Sequence, residues 1–540
     1  MTINLFKLGK NMKKIALASL LVFAAVGAGA QSINDALLFS ENDYYGTART
    51  VAMGNAFTAL GGDLGSIGIN PAGSAVARYG QFTITPNISI MSTGAQFNAD
   101  PGVADYGTAI NNTRSRFTLP NYGVSMYMDL NRRNGLKGFS FGFTGNATSN
   151  YLDQVSVFGD NPHTSYLGNM AAGLQGISSS VFGNNPYDNR DVYWDEVIGW
   201  RTGMIYNEDG SDVDYLGSTE RIFDDGSIGT GGALTQRWGR QTRGYKQDMV
   251  MNMGFNISDK LFLGANLGLI SIGMDRNLYI AEEAVNPQDF PNNFEGTDTY
   301  FSYMRMRNYL EVEGSGVYGK FGFIFVPVPA FRIGAAIQTP TSMHIHEFYR
   351  TTGEIAFTDS RYSATENSPQ GEGEYRLISP YRVNAGLAWN FGTGVFSADY
   401  EMADYSTMQF KSAFDGYAGD FSYENQDIKQ AYGKTHAFRF GFEVKPMPDF
   451  AIRAGYNVAT VADKVHDKDS ALRQSASFGL GYSSPGAFFF DLAFRGNFRP
   501  NEYYVLYGDN ANPYVSGYLN PEVKIGSQMW DIVATLGWRF

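Results

Sequence analysis

The sequence predicts an all-β protein: a 14-stranded antiparallel transmembrane β-barrel with an N-terminal hatch (plug) inside the lumen. Three observations carry that prediction. From about residue 78 to the end, short runs alternate apolar with polar or small residues, the period of a strand with one greasy face. The connectors between these runs are short and long in strict turn. Beyond the leader, no apolar stretch reaches the eighteen or so residues a membrane helix needs, although only 17% of the 540 residues are charged and 15% are aromatic. In lipid every backbone N–H and C=O needs an internal partner, so without apolar helices only a closed barrel can span.

The chain begins with a leader. Lys7, Lys10, Lys13 and Lys14 precede an apolar run at 15–26, and Ala28-Gly29-Ala30 supplies small residues before Gln31. This is the pattern of a cleaved secretory signal peptide over residues 1–30. Its removal leaves 37 basic against 53 acidic residues, a net charge of −16. Residues 31–77 do not alternate: they mix short helical stretches (36–39 and 51–60) with Gly-rich turns. Such a segment is too short to bury its own core and too apolar for a free linker, so it is expected to pack inside the barrel formed by residues 78–540. Its GGDLGSIG stretch lacks the Lys and the strand–helix context of a phosphate-binding loop.

The strands are expected near 78–92, 116–130, 137–147, 245–258, 261–276, 315–326, 331–346, 377–391, 394–411, 434–446, 449–459, 473–484, 487–497 and 527–540. Phe139, Phe141 and Phe143 share one face of the third; Met249, Met251 and Met253 share one face of the fourth. Connectors after even-numbered strands have six residues or fewer, and those after odd-numbered strands have 13 to 97, the largest being loop 148–244. A transmembrane barrel sorts its connectors this way, with periplasmic turns and long outer loops. The last strand, WDIVATLGWRF, ends with Trp538 and Phe540 on one face. An aromatic carboxy-terminal strand resembles the signal by which outer-membrane barrels meet their assembly machinery.

Parity assigns the remaining side chains. Gly142, Gly254, Gly264, Gly322, Gly334, Gly386, Gly441, Gly455 and Gly479 fall on the lumen face, leaving room for a plug or a ligand path. Lys320, Arg332, Arg382, Arg439, Arg453 and Arg495 point inward, as do Asp248, Asp399, Glu401, Glu443 and Asp491. They form either a ladder of ion pairs or a set of ligand contacts. Arg332 and Arg453, among Gly, Ala and Asn, are the stronger candidates for a ligand carboxylate, with Arg382 and Lys320 behind them, since an Arg fork pairs bidentately with carboxylate. Pro86 and Pro120 fall at similar height in the first two strands. Proline donates no ladder bond, so the pair marks either two bulges or a weakened patch of wall, a candidate lateral exit.

The stretch Gly46–Gly73 carries Gly46, Arg49, Met53-Gly54, Ala56, Asp63 and Asn70-Pro71-Ala72-Gly73. This frame resembles the hatch of the long-chain fatty-acid and aromatic-hydrocarbon transporters of the outer membrane (FadL/TodX type). FRIGAAIQTPT (331–341) and the later FSADYEMADYS and FAIRAGYNV resemble strands of the same family. The resemblance implies a fourteen-stranded barrel with an N-terminal hatch, passive uptake of hydrophobic small molecules, and sideways release at a kinked third strand. Two features depart from the family: loop 148–244 is long and acidic, with 13 Asp/Glu against 6 Arg, and residues 459–462 read Ala-Thr-Val-Ala where the family has a proline.

Composition excludes several classes. An acidic, lysine-poor chain offers no footprint for nucleic acid. With no Cys there is no disulfide, Cys-based zinc site or thiol nucleophile. No spacing nominates a catalytic set, so no enzyme and no cofactor are expected. His344 and His346 share a face at the end of the seventh strand and form a weak alternative metal or haem site. The expectation is therefore a monomeric channel of the cell outer membrane whose partners are a hydrophobic ligand, membrane lipid and the assembly machinery. The alternative is a haemin receptor or surface adhesin using the long outer loops.

Overall fold

The computed structural model describes residues 32–97, 109–189, 191–208, 210–294, 296–413, 421–464, 472–507 and 521–540; the expected signal peptide lies outside them. Fourteen staves form one closed sheet: β1 (Gln81–Phe97), β2 (Ile110–Asp129), β3 (Leu136–Asn161), β4 (Leu234–Ile257), β5 (Leu261–Ala284), β6 (Thr297–Val328), β7 (Phe331–Gln338, then Ser342–Phe357), β8 (Gly371–Ile378, then Arg382–Asn390), β9 (Gly394–Asp404, then Gln409–Ser412), β10 (Lys434–Met447), β11 (Phe450–Thr460), β12 (Leu472–Ser483), β13 (Phe488–Phe498, then Glu502–Val505) and β14 (Glu522–Arg539). Each pairs antiparallel with its sequence neighbours, and β14 closes the ring on β1 from Arg539↔Gln81 to Val523↔Phe97. β7 and β8 are interrupted side by side at Pro340 and Pro380, which cannot donate; Thr341 N to Ser379 Oγ (3.0 Å) and Ser379 N to Thr341 O (2.9 Å) bridge the break.

Alternation does what it predicts in the lower wall. Phe141, Phe143, Met251, Leu267, Phe323, Phe440, Phe478 and Trp530 are exposed on the outer face, while Lys320, Arg382, Glu401 and Asp491 are buried inside. An apolar band facing outward around a polar interior is stable only in lipid. Several staves run well past their expected ends. β3 reaches Asn161, β4 starts at Leu234, and β6 starts at Thr297, twenty residues before Val317. The expected loop 148–244 is therefore a shorter connector on a tall hairpin. Above the lipid band the outer face has Arg243, Asp275, Glu311 and Arg307 in place of apolar residues, so period-two hydrophobicity ends while the strands continue.

Between β3 and β4 a cap folds over the outer mouth. Its helices α4 (Tyr166–Leu174) and α5 (Trp194–Thr202), with two short hairpins, bury Leu167, Val197, Ile198 and Tyr215 against Trp238 of β4, Phe301 and Met304 of β6, Ile355 of β7 and Ile525 of β14. Inside the barrel lie three hatch helices: α1 (Ile33–Ser40), α2 (Ala48–Ala52) and α3 (Gly73–Ala77). The helix expected at 51–60 is absent. Gly54 and Asn55 adopt φ of 61° and 58°, a left-handed pair that ends α2 and starts a run of turns. A further helix, α6 (Ser422–Ala431) in the β9–β10 connector, packs Ile428 and Ala431 into the cluster around Phe39 of α1.

Candidate functional site

The lumen-facing glycines are a seat for the hatch. A Cβ on Gly264 would overlap the Pro71–Ala72 peptide, one on Gly455 would overlap Gly54 N, and one on Gly441 would lie 2.6 Å from Met53 O. Backbone thus meets backbone at a distance only glycine permits. The hatch motif fits this seat. Arg49 bonds both oxygens of Glu443 on β10 (2.8 and 3.1 Å). Asp63 accepts from Thr47 Oγ1 (2.6 Å) and Gly65 N (2.9 Å). The Asn70 amide donates to Thr58 O (2.6 Å) and to Phe323 O of β6 (3.0 Å), while its oxygen accepts from Ala72 N (3.1 Å). Pro71 O accepts from Asn252 of β4 at 2.9 Å. Gly46 and Gly73 make close backbone contacts with Gly65 and Gly61.

Wall cations hold the hatch by its carbonyls. Lys246 bonds Phe39 O (2.8 Å) and Glu41 O (2.5 Å), Lys320 bonds Gly68 O (2.8 Å), Arg332 bonds Leu60 O (2.5 Å), Arg382 bonds Ser40 O (2.5 Å) and Arg495 bonds Tyr44 O (3.1 Å). The carboxylates complete a ladder: Glu401 with Arg382 (3.3 Å) and Arg439 (2.8 Å), Arg453 with Glu443 (2.6 Å) and Asp491 (2.5 Å), and Arg495 with Asp531 (2.8 Å). Of the four cations nominated for a ligand, Arg332 and Lys320 hold the hatch, Arg382 holds both hatch and ladder, and Arg453 belongs to the ladder. Parity placed these side chains correctly in the lumen. Their partners come from the hatch, whose path no strand pattern reveals. Lys246, Asn252 and Asp399, which accepts from Thr58 N at 2.7 Å, belong to the same seat; lumen parity is the signal that finds them.

Among the described residues, strand pairing lapses between β2 and β3. Thr85↔Asn121 is followed by Asn87↔Thr118, so Pro86 and Pro120 share one bulge. At that height β2 leaves β3. The β2–β3 ladder runs from Asp129↔Gly138 to Asn121↔Asn146, and beyond it, among the described residues, β2 pairs with β1 and β3 with β4. The freed edge of β3 takes up the hatch instead: Asp43 N donates to Thr148 O (2.7 Å) and Tyr45 N to Ala147 O (3.3 Å). β2 reaches across with Arg116, whose Nη1 bonds Gly244 O of β4 at 2.5 Å.

β3 lies between two spaces at this level. On the lumen side, above α1, is a cavity of about 510 Å³ lined by α1, Leu152, Trp194, Leu310, Tyr349 and Tyr504. On the other side a recess of about 570 Å³ is lined by Arg114, Arg116, Tyr245 and Glu313. Leu152 of β3 borders both. The cavity is within the usual size of small-molecule sites.

The remaining nominated residues lie away from it. His344 faces Glu374 at 3.8 Å and His346 lies tilted against Phe348 with centroids 4.2 Å apart, both on the outer face of the wall. No group of three metal-ligating side chains occurs among the described residues. Trp538 sits in the outer band between Phe82 and Phe488, and Phe540 exchanges backbone bonds with Gly80 (2.8 and 2.9 Å).

No family model and no curated protein matches this sequence. Solved structures do. A Pseudomonas aeruginosa FadL homologue aligns over 92% of this chain and 99% of its own at 14% identity, with a TM-score of 0.50. The Pseudomonas putida toluene transporter TodX aligns over 92% and 99% at 13% identity and 0.49, and the Ralstonia pickettii toluene transporter TbuX over 93% and 100% at 14% identity and 0.47. At such identities the likeness is one of architecture, and the chain shares the fold of the FadL homologue along nearly all of its length.

Proposed function

We propose that this chain is an outer-membrane channel for passive uptake of hydrophobic small molecules. The observation that carries the reading is the placement of a lumen cavity directly behind a stretch of wall without β2–β3 pairing, with β3 between them. Solved proteins of this fold include toluene transporters and a FadL homologue, which supports the same reading.

Magnitudes choose the route. Driving the hatch downward as a unit breaks six bonds from five wall cations to its carbonyls. At ~1.5–3 kcal/mol for a bond to a charged group, that is roughly 10 kcal/mol or more. Passage sideways between β2 and β3 meets no β2–β3 ladder bond above Asn121 and breaks the side-chain bonds of Asn112 to Ser156 (3.0 Å) and of Arg116 to Asn150 (3.4 Å) and Gly244 O (2.5 Å). Ligand therefore enters beneath the cap, rests in the cavity and leaves past Leu152 through the split. Passive flow needs only that binding be tight enough to enter and weak enough to leave.

Uptake of labelled oleate, toluene and haemin by a deletion strain and its complemented partner tests the function. Restored uptake of a small hydrophobic compound, with 4-methylbenzyl alcohol offered as a fourth probe, is expected; restoration of haemin alone would move the function to the outer loops. The double substitution Pro86→Thr, Pro120→Val tests the route. It restores donors at the bulge, lets β2 pair further up β3, and is expected to lower uptake at least tenfold with the barrel folded. Unchanged uptake refutes lateral exit.

A further inference from the structure

We propose that the lumen cavity selects uncharged amphiphiles, molecules with a ring or short hydrocarbon body that carry hydroxyl or carbonyl groups and no net charge. The inference rests on the channel reading above and names its substrate class. It starts from the charges around the cavity. Five arginines and six carboxylates line it. Arg240 is held by Asp153 (2.7 Å) and Glu502 (2.6 Å), Arg276 by Asp35 (2.7 Å), Arg473 by Glu41 (2.7 Å) and Arg499 by Asp43 (3.7 Å), while Arg350 is exposed at the rim. Arg350 apart, a ligand carboxylate reaching one of these guanidinium groups must displace a resident carboxylate; at Arg276 that strands Asp35, whose side chain is only 4% exposed, without its partner. It would also enter a lining with one negative charge to spare. Fatty-acid anions are selected against.

A bare hydrocarbon fits no better. Side-chain amides of Asn34, Asn150 and Asn308 and the paired charges border the same space. Covering them with hydrocarbon removes their water without replacing its hydrogen bonds, a penalty for each buried group left unmet. The apolar lining combines aliphatic side chains such as Leu37, Leu152 and Leu310 with aromatic faces: Trp194 and Tyr349 pack at 4.9 Å between centroids, with Tyr503 and Tyr504 also in the lining. Flat apolar faces interleaved with hydrogen-bonding groups match a neutral ring bearing polar substituents.

The test uses four probes with one methyl-aryl skeleton: 4-methylbenzyl alcohol, 4-methylbenzoate, p-xylene and 4-methylbenzylammonium. Binding to the purified full chain in detergent is read by Trp194 quenching, with Trp194→Phe as the blank, and by competition with the alcohol in isotopic form. The expected order places the alcohol at least tenfold tighter than each of the others. In Asp35→Asn, which leaves Arg276 without its partner, the ratio of benzoate to alcohol affinity should rise about tenfold. Tightest binding by benzoate, xylene or the ammonium ion overturns the inference and leaves the channel reading standing. Failure of all four to bind, together with no uptake of any hydrophobic compound by cells, overturns the channel reading itself.

Discussion

Asn70→Ala should release the hatch while sparing the barrel. The Asn70 side chain is fully buried and serves three backbone groups: Thr58 O at 2.6 Å, Phe323 O at 3.0 Å and Ala72 N at 3.1 Å. Phe323 belongs to the β6–β7 ladder, so the second bond to its carbonyl is a lesser loss. Thr58 O and Ala72 N have no ladder to fall back on. Two buried groups left unmet at ~1–3 kcal/mol each, less some relaxation, give about 2–4 kcal/mol against the docked hatch. At ~1.4 kcal/mol per factor of ten, the population of undocked hatch rises roughly 30- to 1,000-fold. Hydrogen exchange of the purified barrel in detergent reads this directly. Amides of residues 58–72 should lose that much protection, and those of β4 to β6 should keep theirs. A change below about threefold in the hatch would refute the claim that Asn70 pins it, and equal loss throughout would show that it holds the barrel as a whole.

Other substitutions probe other parts. Glu443→Gln removes the carboxylate shared by Arg49 and Arg453; roughly 2–3 kcal/mol of hatch docking should be lost, seen as faster exchange around α2. Trp538→Ala with Phe540→Ala should lower the folded, heat-modifiable fraction in cells without altering the purified folded barrel. The cap should respond to pH. Burial pushes Asp195 up to about 6 and Glu196 and Glu220 up to about 7. Each binds its proton more tightly in the closed cap than in an opened loop, so this stabilisation is complete below about pH 4 and is lost as pH rises through 6 to 7. Proteolysis of residues 162–233 should accelerate across that interval, and Glu220→Gln should flatten the rise; a cap equally resistant at pH 5 and 8 would refute it.

How much of this was legible in the sequence follows from where lipid is. Outward apolar alternation exists only where a strand touches hydrocarbon, so all fourteen staves were visible over their lower halves. The upper halves of β3, β4 and β6 were invisible because their outer faces are as polar as any loop. The same limit hid the cavity: Arg240 lies on the upper stretch of β4 and Arg276 at the last residue expected for β5, so attention fell on Arg332 and Arg453 below. Pro86 and Pro120, neither of which can donate to a ladder, share the bulge at the height where β2 leaves β3. The full split depends on β3 trading β2 for the hatch at Ala147 and Thr148, a pairing distant in sequence and carried by backbone alone.

That the wall grips the hatch by its carbonyls has a consequence for tolerance to mutation. Lys246, Arg332, Arg382 and Lys320 recognise oxygens that every residue possesses, so Glu41 or Leu60 can change identity without loosening these bonds. The demands fall on the other side of the contact and on the few hatch positions where side chain or its absence matters, such as Asn70 and Gly54. A saturation library of the chain should therefore be lopsided. Substitutions would be purged at the lumen-facing cations and glycines of the barrel and at the fully buried hatch side chains such as Phe39, Phe57 and Leu64, while the partly exposed hatch positions that offer only a carbonyl drifted, their path inherited from the cradle around them.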